Sequence, residues 1–370
     1  MKTKFRIIFA LLVALLVGVT VGPAIGCTPL IPAAVSFLGA FIPSIPAGAL
    51  GAGVQVEIWE KDIEGQLFQD APFLNCVYNG DQYVLMGKVV YIPQSGNPSG
   101  VVKNRANLPA SVTKRTDSTV TYALDEFTTD PRLIPNADTV ELSYDKRDSV
   151  TGEDKKALSD VVAEEALYVW ADGLPAAAVV KTTGKKAVLA SAELATGNRA
   201  SATRSDLQTM RTLLVKQRKW SEGNMYALIP SSMLAQMFPA DDVVTATYAQ
   251  NLTEQERRQG VVYKAYGWNI MERGTVLRYD VDGVLRAQGA LGAATDNEGA
   301  MFWEKNSLER ALGEIKMFQD EGNPLYFGDI YSFLVRFGGR RRRADNKGVA
   351  VLVQGPEVIE NAGQGGDGQA

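Results

Sequence analysis

The stretch DKKALSDVVAEEALYVWADGLP, residues 154–175, organises the whole chain. Read with the SVTGE that precedes it, the spacing predicts a long helix. Acidic residues sit in its first turn, where they favour the helix dipole. Leu158, Val161, Val162 and Val169 form an apolar stripe. Gly173 and Pro175 end it. A helix of this length can act as the spine of a domain.

Upstream, VEIWEKDIEGQLFQDAPFL places Ile58 or Trp59, Ile63 and Leu67 at helical spacing, and Pro72 limits that helix. From Tyr83 the pattern turns β-rich, with YVLMGKVVYIP and VTYALDEFTTDPRLIP as extended runs. Between them GNPSGVVKNRANLPASVTKRTDST is long, polar and basic, and carries Lys103, Arg105, Lys114 and Arg115. A long loop flanked by strands predicts an extended β-hairpin arm that projects from the body, with those four cations as its candidate contacts. The plain alternative is a surface loop.

Downstream, SDLQTMRTLLVKQRK shows helical spacing at Leu207, Met210 and Leu214, with Ser205 placed to cap it. MYALIPSSMLAQMF reads as a strand running into a helix, and VVYKAYGWNIMERG as strand, Gly turn, strand. This alternation predicts a compact α/β domain over residues 176–298. AMFWEKNSLERALGEIKMFQD, YSFLVRFGG and GVAVLVQ are β-rich again, and GQGGDGQA reads as a flexible tail.

The 370 residues are 46% hydrophobic and 22% charged, which suits one large or two ordinary globular domains. The net charge of −4 argues against a protein built to coat nucleic acid, so any polyanion contact is local. Histidine is absent. That removes Ser-His-Asp and Cys-His catalysis and every His-ligated metal site. Two cysteines, Cys27 and Cys76, are too few for a disulfide framework or a structural zinc site. Neither MGKVV nor TTGKKA fits a phosphate loop, and GAGVQV lacks the third glycine of a dinucleotide fingerprint. Asp125-Glu126 and Asp241-Asp242 are adjacent carboxylates whose side chains diverge, so neither is an acid–base couple. Asn251-Leu-Thr253 matches a glycan acceptor, a triplet frequent by chance. No catalytic constellation and no cofactor site emerges.

The opening residues point elsewhere. Lys2, Lys4 and Arg6 precede an apolar run from Ile7 to Val17, and small residues lead to Gly26-Cys27. That is the grammar of a secretory signal, with Cys27 as a lipidation site if the chain is exported. No charged residue occurs between Arg6 and Glu57, and the second part of this stretch is broken by Pro and Gly. Residues 1–53 therefore read as a separate apolar arm or signal-like segment.

Arg340, Arg341, Arg342 and Arg343 stand in a row in GGRRRRADNKG. Such a run is tolerable when solvated, paired with carboxylates or set against phosphate. Two readings stay open: a charged turn paired with its own acidic neighbours, or a contact to packaged nucleic acid or to another subunit.

From about Val54 to Gln354 the chain resembles a tailed double-stranded-DNA phage major capsid protein, in the order and content of its segments. VYNGDQYVLMGKVVYIPQ through VVKNRANLPA to TYALDEFTTDPRLIPNADTVELSYDKRDSV is similar to the extended arm and its return. DKKALSDVVAEEALYVWADGLP is similar to the spine helix. DLQTMRTLLVKQR, MYALIPSSMLAQMF and YGWNIMERG resemble the axial domain. ALGEIKMFQDEGNPLYFGDIYSFLVRFGGRRRRADNKGVAVLVQ resembles the closing strands of the peripheral domain. The resemblance implies an α+β chain with the HK97-like coat fold. Its parts are an N-terminal helix region over 54–80, an arm and return strands over 81–140, and a spine helix over 141–175. An axial α/β domain over 176–298, closing strands over 299–354 and a tail over 355–370 follow. It implies a non-enzymatic shell protein that forms hexamers and pentamers around double-stranded DNA, with scaffolding, portal and maturation-protease proteins as further partners. The expected location is the virion, assembled in the host cytoplasm. The departure is the apolar start, which leaves transient membrane contact, or export through residues 1–27 as a lipid-anchored surface-binding protein, as the alternative.

Overall fold

The computed structural model describes residues 61–85, 89–94, 100–106, 109, 112, 114–135, 146–250 and 252–357. The apolar segment 1–53, Cys27, Ile58, Trp59, Asn251 and the tail beyond residue 357 lie outside them. Among the described residues no helix is long and apolar enough to cross a membrane.

Helix α1 covers residues 61–70 and buries Ile63 and Leu67, the two positions its spacing selects. Pro72 ends it by opening a 3₁₀ turn, Pro72–Cys76. Short strands follow: β1 (Tyr78–Asn79), β2 (Val84–Leu85), β3 (Val89–Gln94), β4 (Ser118–Ala123), β5 (Asp125–Thr128) and β6 (Arg132–Pro135). β3 and β4 pair antiparallel from Val89↔Ala123 to Gln94↔Ser118, so the basic stretch 95–117 joins two strands of one hairpin. β2 completes this three-stranded sheet.

The long helix is α2, Lys146–Ala171. Gly173, at φ +62°, turns the chain out of it. Its buried face differs from the expected stripe. Leu158, Val162, Ala163, Ala166, Leu167 and Trp170 are buried, whereas Val161 is exposed and Val169 half-buried. At 3.6 residues per turn, Val161 falls roughly 60° outside the arc that runs from Leu158 through Ala166 to Leu167. Small alanines, not only branched residues, make this face, and they let a strand approach closely.

Next come β7 (Val179–Lys181), β8 (Ala187–Leu189), β9 (Asn198–Ala200), α3 (Arg204–Lys216), β10 (Met225–Pro230), α4 (Ser231–Met237), α5 (Val243–Gln250) and α6 (Glu254–Arg258). Leu207, Met210 and Leu214 are buried as their spacing predicts. Thr203, not Ser205, caps α3, because Asp206 sits three residues on and accepts the Thr203 N–H at 2.8 Å. The last strands are β11 (Val261–Ala265), β12 (Trp268–Arg273), β13 (Leu277–Tyr279), β14 (Asn297–Glu304), β15 (Leu308–Asn323), β16 (Gly328–Arg341) and β17 (Val349–Val353).

Two main sheets divide these strands. One has the order β1-β15-β16-β5, with β6 also paired to β16. The other runs β11-β12-β10-β14-β17-β7, with β13 on β14. Its core packs Trp268, Phe302, Met225 and Leu352 against Leu207, Met210 and Leu214 of α3. The boundary expected at residue 298 runs through β14, and β17, expected among the closing strands, pairs with β14 and β7 inside this second sheet. The closing strands are thus shared between two sheets. Their shared sequence neighbourhood hides a non-local pairing of β17 with β7, far apart in the chain.

Candidate assembly and polyanion-contact surfaces

The four arginines lie at the end of β16 and the turn after it, and they do not form one patch. Successive strand side chains point to opposite faces. Arg341 turns to α2, where its Nη1 donates to the Trp170 carbonyl at 2.8 Å and also to the Asp172 carbonyl, and its Nε donates to Asn346 Oδ1 at 2.8 Å. Burial pushes its pKa down against the pull of Asp172. Arg342 turns the other way. Its Nε lies 2.9 Å from Glu309 Oε2, and its guanidinium stacks 3.8 Å from the centre of the Tyr78 ring. Arg343 makes a fork with Asp345 at 2.8 and 2.9 Å, which holds the Asp345 carboxyl well below its usual range. Arg340 is exposed and donates to the Thr121 carbonyl at 2.7 Å. The charged-turn reading describes Arg342 and Arg343, while Arg341 ties the spine to the sheet through main-chain carbonyls.

Glu309, which the sequence reading passed over, is the centre of this region. It is 1% exposed. Besides Arg342, it receives the Tyr122 hydroxyl from β4 at 3.4 Å, and its main-chain carbonyl accepts the Trp170 indole N–H from α2 at 3.0 Å. Burial raises its pKa, and Arg342 and Tyr122 pull it back. The neighbouring Arg310 donates to the Leu74 carbonyl at 2.8 Å, pairs with Asp81 at 3.3 Å and stacks on Phe68 at 4.2 Å. One short strand segment, Glu309-Arg310, thereby fastens the first helix, the base of the arm and the spine. A Leu-Glu-Arg-Ala run at the start of an apolar strand was the only signal for it.

The arm candidates Lys103, Arg105, Lys114 and Arg115 are all exposed, as is every described residue from 100 to 117. Arg115 pairs with Asp117 at 2.6 Å. Among the described residues Lys103, Arg105 and Lys114 have no ion-pair partner. The carboxylate neighbours weighed for catalysis are structural: Glu126 pairs with Arg336 at 2.9 Å, and Asp242 with Arg204 at 2.8 Å. Thr253 of the glycan-like triplet caps α6. No cluster of three metal-ligating side chains occurs among the described residues. Cys76 is buried, and burial pushes its thiol up to about 12, so it is inert.

A second exposed feature is the tip between β15 and β16. Leu325, Tyr326 and Phe327 are exposed there in succession. Asn323 shapes the tip, accepting the Leu325 N–H at 2.8 Å on its side chain and the Phe327 N–H at 2.9 Å on its carbonyl. Phe327 takes φ +51°. Three apolar residues inside the turn signal GNPLYFGD were the sequence sign of it.

No family model matches the sequence, and no curated protein matches it. Solved structures do. The capsid of Ralstonia phage GP4 superposes with a TM-score of 0.54 at 12% identity, over 78% of this chain and 89% of that one. The cyanophage Pam1 capsid asymmetric unit gives 0.52 at 10% identity, over 78% and 93%. The capsid of cyanophage P-SCSP1u gives 0.51 at 17% identity, over 75% and 86%. The chain has the fold of these phage capsid chains, the HK97-like α+β coat fold.

Proposed function

We propose that the chain is the major capsid protein of a phage, a structural subunit that self-assembles into the hexamers and pentamers of an icosahedral shell. The observation that carries this reading is the extent of the fold match, which spans about nine-tenths of known capsid chains. A shell subunit needs broad contacts with several neighbours, and the exposed arm and the apolar hairpin tip are surfaces of that kind. The protein works as a wall rather than as a catalyst. Its place is the virion, after assembly in the host cytoplasm. Double-stranded DNA is the enclosed partner, met by local cations on an otherwise acidic chain, and scaffolding, portal and protease proteins are the expected helpers. Negative-stain microscopy of protein expressed from Met1 and from Val54 tests the reading. Closed particles or capsomer pieces from either form support it. Dispersed monomers from both, with the longer form in membranes, overturn it.

A further inference from the structure

A cavity of about 320 Å³ lies between α2 and the segment that precedes β14, at the small end of the range for ligand pockets. Its charged lining is Glu164, Glu193, Glu298 and Arg278. Three carboxylates therefore meet one guanidinium, and that guanidinium is committed. Arg278 pairs with Glu193 at 3.1 Å, lies 3.8 Å from Asp296 and donates to the Ala290 carbonyl. The cations behind the lining have carboxylates of their own. Arg286 pairs with Asp296 at 2.9 Å, and Arg273 feels Asp160 as well as Glu164. Glu298 is 5% exposed and, among the described residues, has no ion-pair partner. Its Oε2 accepts the hydroxyls of Ser191 and Ser232, which solvate the carboxylate but leave its charge in place. Glu164 likewise has no ion-pair partner among the described residues. The rest of the lining is largely apolar, with the Tyr168 ring, Val276, Leu277 and, on the rim, Leu291.

We infer that this cavity is a binding site for a small aliphatic diammonium ion. The assignment stands apart from the capsid reading, because every group that makes the site belongs to one copy of the chain. Its basis is a buried carboxylate, Glu298, and a second one, Glu164, that share an enclosed space without a cation of their own. A divalent metal does not suit that space. Hard cations gather six or more oxygens at about 2.0–2.6 Å, and no group of three metal-ligating side chains converges among the described residues. A diammonium ion carries its two charges apart on a short methylene chain. One ammonium meets Glu164, where the Tyr168 ring one helical turn away adds its negative face. The other meets Glu298 in a charge-assisted hydrogen bond. The methylenes between them lie against Leu277 and Leu291 and leave water. Such an occupant joins α2 to the segment before β14, so it stabilises the folded chain by mass action.

Calorimetric titration of the purified full chain with diaminobutane, with butylamine and with magnesium chloride, all at matched ionic strength, tests the assignment. The diamine is expected to bind at a single site per chain, about tenfold or more tighter than the monoamine or magnesium, and to raise the melting temperature as its concentration rises. Glu164→Gln is expected to weaken diamine binding about tenfold. The same variant is expected to melt close to the parent without diamine, because Glu164 makes no ion pair that the fold relies on. Ala192→Trp fills the cavity without removing a charge and is expected to abolish binding, which keeps the test open should the carboxylate variant fail to fold. Diamine binding that is unchanged in either folded variant overturns the assignment. Equal affinity for magnesium and the diamine reduces the effect to charge screening and overturns it as well. So does the absence of both heat and a melting shift at millimolar diamine.

Discussion

Arg342, the first residue after β16, meets Glu309 of β15 at 2.9 Å, with the carboxylate 1% exposed and the guanidinium 27% exposed. Removing the cation leaves a buried carboxylate whose remaining side-chain partner among the described residues is the Tyr122 hydroxyl, at 3.4 Å. Arg342→Met is therefore expected to cost about 3 kcal/mol, read as a lower urea midpoint with an unchanged slope. Burial already raises the pKa of Glu309 above its unfolded value, so its charge costs stability at neutral pH and the cost fades as pH falls. The loss in Arg342→Met is expected to shrink as pH falls into the acid range, because the orphaned carboxyl protonates. A loss that stays constant down to acid pH would contradict this account.

Gly339 is where the spine meets the sheet. A Cβ there would lie 2.6 Å from Trp170 Nε1 and 3.2 Å from the Glu309 carbonyl oxygen, the two partners of one hydrogen bond. Trp170 is fully buried and has nowhere to move. Gly339→Ala is expected to destabilise the subunit by about 2–3 kcal/mol, with a matching drop in melting temperature. Gly274→Ala, with open space at its Cβ position, serves as the control and is expected to melt close to the parent.

Glu256 closes the capping box of α6 with Thr253 and pairs with Lys264 at 2.7 Å. The hydrogen bond from Lys264, then that from the Thr253 backbone, lowers its pKa to about 2. The folded value lies below the unfolded one, so the stabilisation is present above about pH 4.5 and is lost as pH falls towards 2. Glu256→Gln is expected to cost about 1 kcal/mol at pH 7 and much less at pH 2.5, by denaturant titration at both.

Arg340 and Arg343 are the members of the run that carry little of the fold. Arg343 forks to Asp345 on the surface, and among the described residues Arg340 reaches a main-chain carbonyl and no carboxylate. Their joint replacement by alanine is expected to leave the melting temperature almost unchanged, since exposed pairs contribute about 0–1 kcal/mol. If these cations meet DNA, particles of this variant hold less of it. Equal DNA content with equal particle yield would remove the run from any polyanion contact. Replacing Arg341 and Arg342 instead would confuse the question, because both hold the subunit together.

Much of the chain was legible residue by residue. Ile63 and Leu67 faced the core as their spacing required, and Leu207, Met210 and Leu214 did the same on α3. The strand-to-helix run MYALIPSSMLAQMF and the Gly turn of VVYKAYGWNIMERG appear where they were read. These are short-range features, set by periodicity, capping and turn chemistry within a few residues. Two local readings differ from the structure. Val161 looked like core by composition but lies off the arc that β16 covers, and Thr203 capped α3 because Asp206 turned back to it.

By itself the sequence determined the elements, their order, the absence of histidine chemistry and the presence of a basic stretch between two strands. The tertiary structure decided what the charges do. Four consecutive arginines are one motif on paper, yet β16 ends at Arg341 and the chain bends after it, so Arg341 meets the spine helix and Arg342 meets Glu309. Whether a cation is free for a partner or spent within its own chain depends on which distant carboxylate or carbonyl the fold carries to within about 3 Å of it, and no local pattern encodes that distance.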